Sequence, residues 1–361
     1  MGSFGDFLMT ILRTILTLLI PQNIEVKCIP QISNETDPPS ATVFLQNLQS
    51  FQIVFLAVGS VLTFAVLSLA VVQFYHVWMY ISSEERRNNM YFLVSLFPVS
   101  TACCLIGMYC PRTAILLSSF GLLYFLTCLF ILVSFIQHLS QGRSVLSRQL
   151  TERGKRISFK SPPLCCFLSC LPEAKPTESN LVRLEWIVLQ APIVRVFIVI
   201  GQVIAVAEAR ENALKWLHLF DLASLASLLL AIFGIHTLAR VTSDQLSQFG
   251  FSSIFRVVDV SLLFFSAQQP ILFQNILLRF GVIHCGPVLS PHDNARFICN
   301  FVIICELFIL SLFSTFLVSP RRNNLFDLYR DKRVSSATIS ASSDQAETCT
   351  QLTDLLTDSG E

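Results

Sequence analysis

Seven long apolar runs, almost free of charge inside, constrain this chain more than any other feature of it. They fall at about 51–78, 90–108, 114–139, 184–207, 214–238, 254–283 and 297–318. A helix needs about 20 apolar residues to cross the hydrocarbon core, and each run is about that long or longer. In lipid the backbone must satisfy its own N–H and C=O groups, so each run is expected to be helical. Composition agrees: 53% of residues are hydrophobic, 14% are charged, and 31 are phenylalanine. The expected fold is all-α, a polytopic membrane protein with seven transmembrane helices.

Orientation follows from where lysine and arginine lie. With the amino terminus outside, the inner segments carry fifteen basic residues and the outer ones six. Four more, Arg183, Arg195, Arg256 and Arg279, lie in or at the edge of helices. The excess places the amino terminus outside and the carboxyl terminus in the cytoplasm. Asn34-Glu35-Thr36 is an acceptor sequon for N-glycosylation, and it falls on the side the charges make external.

The domain layout is then an extracellular segment at 1–50, a membrane domain at 51–320 and a cytoplasmic tail at 321–361. Within the first segment, residues 7–20 are apolar but short for a span and interrupted by Arg13. They read as an interfacial helix in preference to a signal core, since no charged flank precedes them. The tail from 334 is rich in Ser, Thr, Asp and Glu without an aromatic residue, a composition expected to stay disordered. The cytoplasmic loop at 140–182 opens on a basic run and turns Pro- and Cys-rich. Prolines at that density stop a helix.

The chain holds 12 cysteines. Cys103, Cys104, Cys128, Cys299 and Cys305 lie within spans and read as small apolar packing residues. Cys28, Cys110 and Cys285 fall outside, where a disulfide is permitted, and Cys28 with Cys285 is the preferred pair because both lie in longer segments. Cys165, Cys166 and Cys170 are cytoplasmic and have no nearby His to complete a zinc site. Beside a basic run at the inner leaflet they suit S-acylation, and no metal is expected there.

Ionisable and amide side chains inside a membrane are costly, so each one needs a partner or a task. Glu306 sits mid-way along the last run and Arg195 mid-way along the fourth, and contact between those helices would pair them. Asp221 follows His218, and Asp259 follows Arg256, by three residues, a spacing that permits local neutralisation. Gln268 and Gln269 precede Pro270, whose missing N–H interrupts the sixth helix. Two amides beside that break line a polar pathway or bridge helices. Glu306, Arg195, Gln268, Gln269 and Asp221 are therefore the pathway candidates.

Catalysis is not expected: the chain has no P-loop, GxSxG elbow, HExxH or dinucleotide fingerprint, and its six histidines lack metal-ligand spacing. No cofactor is expected, and a net charge of +1 gives no reason to expect nucleic acid.

Several features in order resemble the organic solute transporter alpha subunit family. Cys110-Pro111-Arg112 opens the third span. A basic loop leads to Pro163-Leu164-Cys165-Cys166-Phe167-Leu168-Ser169-Cys170-Leu171-Pro172 before the fourth. Gln269-Pro270-Ile271-Leu272-Phe273 interrupts the sixth, Cys285 stands in the outer segment after it, and Glu306 lies in the seventh. The resemblance covers roughly residues 45–325. It implies facilitated movement of steroid conjugates, bile acids and similar amphipathic anions, without ATP. It also implies a single-span beta-type partner and a lipid-modified Cys cluster. Plasma membrane is the default location, with endosomal membrane as the alternative. Homo-oligomerisation is the other assembly weighed. Two other functions are weighed: a non-transporting trafficking or organising protein, and a seven-span receptor. The receptor is disfavoured because Gln137-His138-Leu139 stands where Asp-Arg-Tyr would, and no Asn-Pro-x-x-Tyr ends the last span.

Overall fold

A computed structural model describes residues 38–159, 173–208, 213–283, 286, 288–320 and 323–329. The segment 7–20, Cys28, Asn34, Cys165, Cys166, Cys170, Cys285 and the tail beyond 329 lie outside the described residues. Among the described residues the structure is helical, with a lone antiparallel bridge, Ile157 to Ala174, as the extended pairing.

The helices, in chain order, are α1 (Ala41–Gln46), α2 (Ser50–Tyr80), α3 (Glu84–Val94) and α4 (Leu96–Tyr109). They continue with α5 (Ala114–Leu139), α6 (Arg143–Glu152), α7 (Glu178–Glu208), α8 (Ala213–Leu246), α9 (Phe251–Ala267) and α10 (Pro291–Leu317). A π-helical segment, Gln268–Leu277, continues α9 directly. Seven spans result: α2, the α3–α4 pair, α5, α7, α8, α9 with the π segment, and α10. The chain is a polytopic all-α membrane protein.

Along the apolar runs of these helices many outward-facing residues are large and apolar, as lipid requires. On α2, Val61 and Val71 are about two-thirds exposed, and Phe64 and Trp78 more so. With no water to drive apolar faces together, the helices associate through packing and polar contacts. α10 lies at the centre of one group, against α2, α4, α9 and the π segment. α7 belongs to another, packed on α8 and α5. Gly59 on α2 lets that helix close against Leu105, Phe301 and Ile304. Gln73 on α2 donates to Thr315 Oγ1 of α10 at 2.5 Å.

Several helices extend past their apolar runs because caps, rather than hydropathy, set their ends. α10 starts at Pro291, six residues ahead of the run that marks it. Ser290 accepts from the Asp293 N–H at 3.2 Å, and Pro291 fits the first helical turn, where no amide donor is needed. The second span is helical from Glu84 and bends at Ser95, whose hydroxyl meets Tyr124 Oη of α5 at 2.5 Å.

The loop between α5 and α7 carries structure that its proline content hides. α6 is amphipathic and lays Leu146 and Leu150 into the core. Ser147 Oγ donates to the Pro176 carbonyl at 2.7 Å. The bridge joins Ile157 N to Ala174 O at 2.8 Å and Ala174 N to Ile157 O at 3.0 Å. The bridge thus joins the described residues on either side of 160–172.

Candidate functional site

Between α7 and α8 the polar side chains form a ladder through the membrane. Gln190 donates to the Ser227 carbonyl at 3.0 Å and accepts from Ser227 Oγ at 2.9 Å. Arg195 donates to Ser224 Oγ at 2.7 Å and to Ser119 Oγ of α5 at 3.1 Å. Gln202 donates to Asp221 Oδ1 at 3.2 Å. The partners on α8, at 221, 224 and 227, are spaced by three, so all lie near one helix face.

Arg195 is the unusual rung. Its side chain is buried, with 7% exposure. Serine hydroxyls take two of its nitrogens, while Nε is buried with no protein acceptor. Asp221, one turn along α8 from Ser224, lies close enough to act on its charge. Pro192, inside α7 one turn earlier, leaves the helix unbroken. The arginine is thus a buried cation whose direct hydrogen bonds go to neutral groups, with Asp221 as the nearby negative charge.

A second polar group lies at the π segment. Gln268 Nε2 donates to Glu306 Oε1 of α10 at 2.6 Å. Both side chains are half-buried, as is Gln269 beside them. A π turn carries its hydrogen bonds one residue further than an α turn, and such wide turns favour functional sites. The break expected at Pro270 is therefore a change of helix type rather than a bend in an α-helix.

Arg195 and Glu306 are expected to pair if their helices touch, but they fall in separate groups. The reason is packing: α7 lies against α8 and α5, and α10 against α2, α4 and α9. The local pair Arg256–Asp259 is corrected as well. Asp259 Oδ1 instead meets His236 Nε2 of α8 at 2.9 Å, a bond that ties the fifth span to the sixth. Asp221 turns to Gln202 and Arg195, while the His218 side chain is outside the described residues.

Three contacts among the segments that connect the spans have no sequence signal. Arg143 of α6 grips Glu185 of α7 with two bonds, Nη2 to Oε2 at 2.9 Å and Nε to Oε1 at 3.2 Å. Lys155 pairs with Asp244 at the end of α8 at 2.5 Å. Asp327, after the last span, accepts from the hydroxyl and the N–H of Ser82 and lies 3.8 Å from Arg86. Desolvation pushes the Asp327 carboxyl up. The Ser82 bonds, the Leu328 N–H and the Arg86 charge outweigh it, so the group titrates below the ordinary aspartate value. These partners lie far apart in the chain, and periodicity along one helix cannot reveal them.

Among the described residues no three His, Cys, Asp or Glu side chains gather around a point that would hold a metal ion. The polar groups inside the spans are instead a buried cation, the carboxyls of Asp221, Asp259 and Glu306, and several amides.

The sequence matches the family model described as Organic solute transporter Ostalpha over residues 55–323. The chain belongs to that family. Among its relatives, organic solute transporter alpha-like protein 3 of Caenorhabditis elegans is 50% identical over 329 residues, covering 91% of this chain and 93% of that protein. Alpha-like protein 2 of the same organism is 30% identical over 310 residues, 85% of this chain and 90% of the relative. Alpha-like protein 1 is 29% identical over 304 residues, or 83% and 78%. No solved structure matches the chain. Membership of the Ostalpha family, together with seven spans, makes this a multi-pass membrane protein with an organic-solute-transporter type of role.

Proposed function

We propose that the chain is the alpha-type subunit of a facilitative transporter for amphipathic organic anions, steroid conjugates and bile-acid-like solutes among them. It works with a single-span beta-type partner, or as a homo-oligomer, and carries no catalytic residue. The observation that supports this reading most is Arg195. A buried guanidinium bonded only to hydroxyls through its paired nitrogens leaves attraction for a sulfate or carboxylate. An amphipathic anion supplies that group and keeps its apolar body against the lipid-facing side of α7. In the same reading the amino terminus is outside with a glycan on Asn34, and Cys165, Cys166 and Cys170 are S-acylated. The plasma membrane is the site of action, and endosomal membranes fit the same chemistry.

The test is uptake of labelled estrone sulfate or taurocholate into vesicles, with and without a candidate single-span partner. Uptake that depends on the partner is expected, reduced at least tenfold in Arg195→Gln and partly restored in Arg195→Lys. An Asn34→Gln change should remove a glycosidase-sensitive shift in mobility. No uptake from correctly folded protein in either arrangement would turn the reading toward a trafficking or organising protein of the same fold.

A further inference from the structure

The contact between Gln268 and Glu306 leaves two acceptors without a donor. Gln268 Nε2 bonds Glu306 Oε1 at 2.6 Å. The remaining oxygens, Glu306 Oε2 and Gln268 Oε1, are both buried, and neither receives a hydrogen bond from a protein group. An ionised carboxylate is acceptor-only, so in that form both oxygens would stay unsatisfied. A buried polar atom left unpaired costs about 1–3 kcal/mol, and more for a charge. One proton on Glu306 removes the problem: the carboxyl becomes a donor able to reach the amide oxygen, and acid and amide close a two-bond pair.

Among the described residues, the elements packed against this pair place no cation beside it. On α10 the ionisable neighbours are the thiols Cys299 and Cys305. From α4 come Cys103 and Cys104, behind Cys299, and Tyr109, which is bonded to Ser60 of α2. The part of α2 level with Glu306 runs from Gly59, against Ile304, to Gln73, at Ser311 and Thr315, and carries no titratable residue. The π segment has none either. On α9 the charged groups are Arg256 and Asp259, and Asp259 is nine residues before Gln268 and held by His236. Nine residues of helix span about 13 Å.

We infer that Glu306 and Gln268 form a proton-binding site, a carboxylic acid–amide pair that latches the π segment of the sixth span to the seventh. With the proton bound, the pair is complete and the two helices are joined. When the proton leaves, both oxygens stay unsatisfied beside a buried charge, and the latch loosens. Because the latch depends on neither a transported solute nor a partner subunit, it goes beyond the transport reading and stands or falls separately.

The experiment is labelling of the full-length protein in detergent or liposomes with dicyclohexylcarbodiimide, followed by peptide mass spectrometry. The reagent takes up a carboxyl proton and adds to the carboxyl oxygen, so it selects membrane-embedded carboxyls that hold a proton. An adduct on Glu306 is expected, with labelling that falls about tenfold for each pH unit above the site's midpoint. Gln268→Leu removes the amide donor that favours the carboxylate, so labelling should persist severalfold more strongly toward alkaline pH, and Glu306→Gln should abolish it. Folding of each variant is checked by its elution as a single species. A folded protein without an adduct from mildly acidic to alkaline pH overturns the inference. So does an adduct indifferent to Gln268→Leu, or one that appears only when sodium and potassium are removed, which would make the site a metal-cation site.

Discussion

Gly121 on α5 faces the ring of Phe265 on α9 so closely that a Cβ there would stand 2.4 Å from Cζ. That is well inside van der Waals contact, and Phe265 is itself buried, with its ring centroid 5.0 Å from that of Phe125. Gly121→Ala must therefore push the ring or part the helices. Overpacking of this kind costs about 1–3 kcal/mol. Alanine also improves the helix by about 0.8–1 kcal/mol relative to glycine, which offsets part of that cost. The net loss in the parent protein should be about 0–2 kcal/mol. Phe265→Leu removes the colliding atoms, so the same Gly121→Ala change should become neutral or stabilising in that background. The assay is thermal unfolding of purified protein, parent against Gly121→Ala, and Phe265→Leu against the double variant. A change of sign between backgrounds is the expected result. Equal destabilisation in both would show that the ring contact does not set the packing of α5 on α9.

Two further outcomes concern the contacts among the connecting segments. Glu185 is only 7% exposed, so Arg143→Ala takes the cation from its carboxylate while the Gln137 bond remains, and the loss of charged hydrogen bonds should cost about 1.5–3 kcal/mol. The low end is expected because the Arg143 side chain is 45% exposed; Arg143→Ala in a Glu185→Gln background should cost measurably less in the same melting assay. Asp327 titrates below the ordinary aspartate value, so its contribution is complete above that value and is lost only as pH falls through the lower, folded one. Wild type and Asp327→Asn should therefore differ by a small, constant amount between about pH 5 and about pH 8, under about 1 kcal/mol at this exposure, and converge in acid. A gap that widened toward alkaline pH would contradict that direction.

The spans were legible because lipid imposes a length and an apolar character that survive in one dimension. Phe51 or Leu184 needs no partner to be read as membrane-embedded. The polar contacts were not legible in the same way. His236 and Asp259 are 23 residues apart, and Arg143 and Glu185 are 42 apart, so their meeting depends on which helices become neighbours. Pro270 announced an interruption, but the π form arises from how Gln268 and its neighbours seat against α10. Glu306 and Arg195 were identifiable as costly residues, yet their separation into two groups is a property of packing. The early start of α10 was visible in principle, in Ser290, Pro291 and Asp293, but the charged first turn obscured it.

The ladder between α7 and α8 has a mechanical consequence. Its rungs match unlike partners: Gln190 with Ser227, Arg195 with Ser224, and Gln202 with Asp221. Sliding one helix along the other by a single rung would set Gln202 against a serine and Arg195 against the wrong level, and no repeated spacing on α7 offers a second register. Such a pair resists shear along its length much as a toothed rod resists slipping in its rack. Any rearrangement that exposes Arg195 to alternate sides must then carry the fourth and fifth spans together, and movement of that two-helix body against α5 and α9 has to break the Arg195–Ser119 and His236–Asp259 bonds.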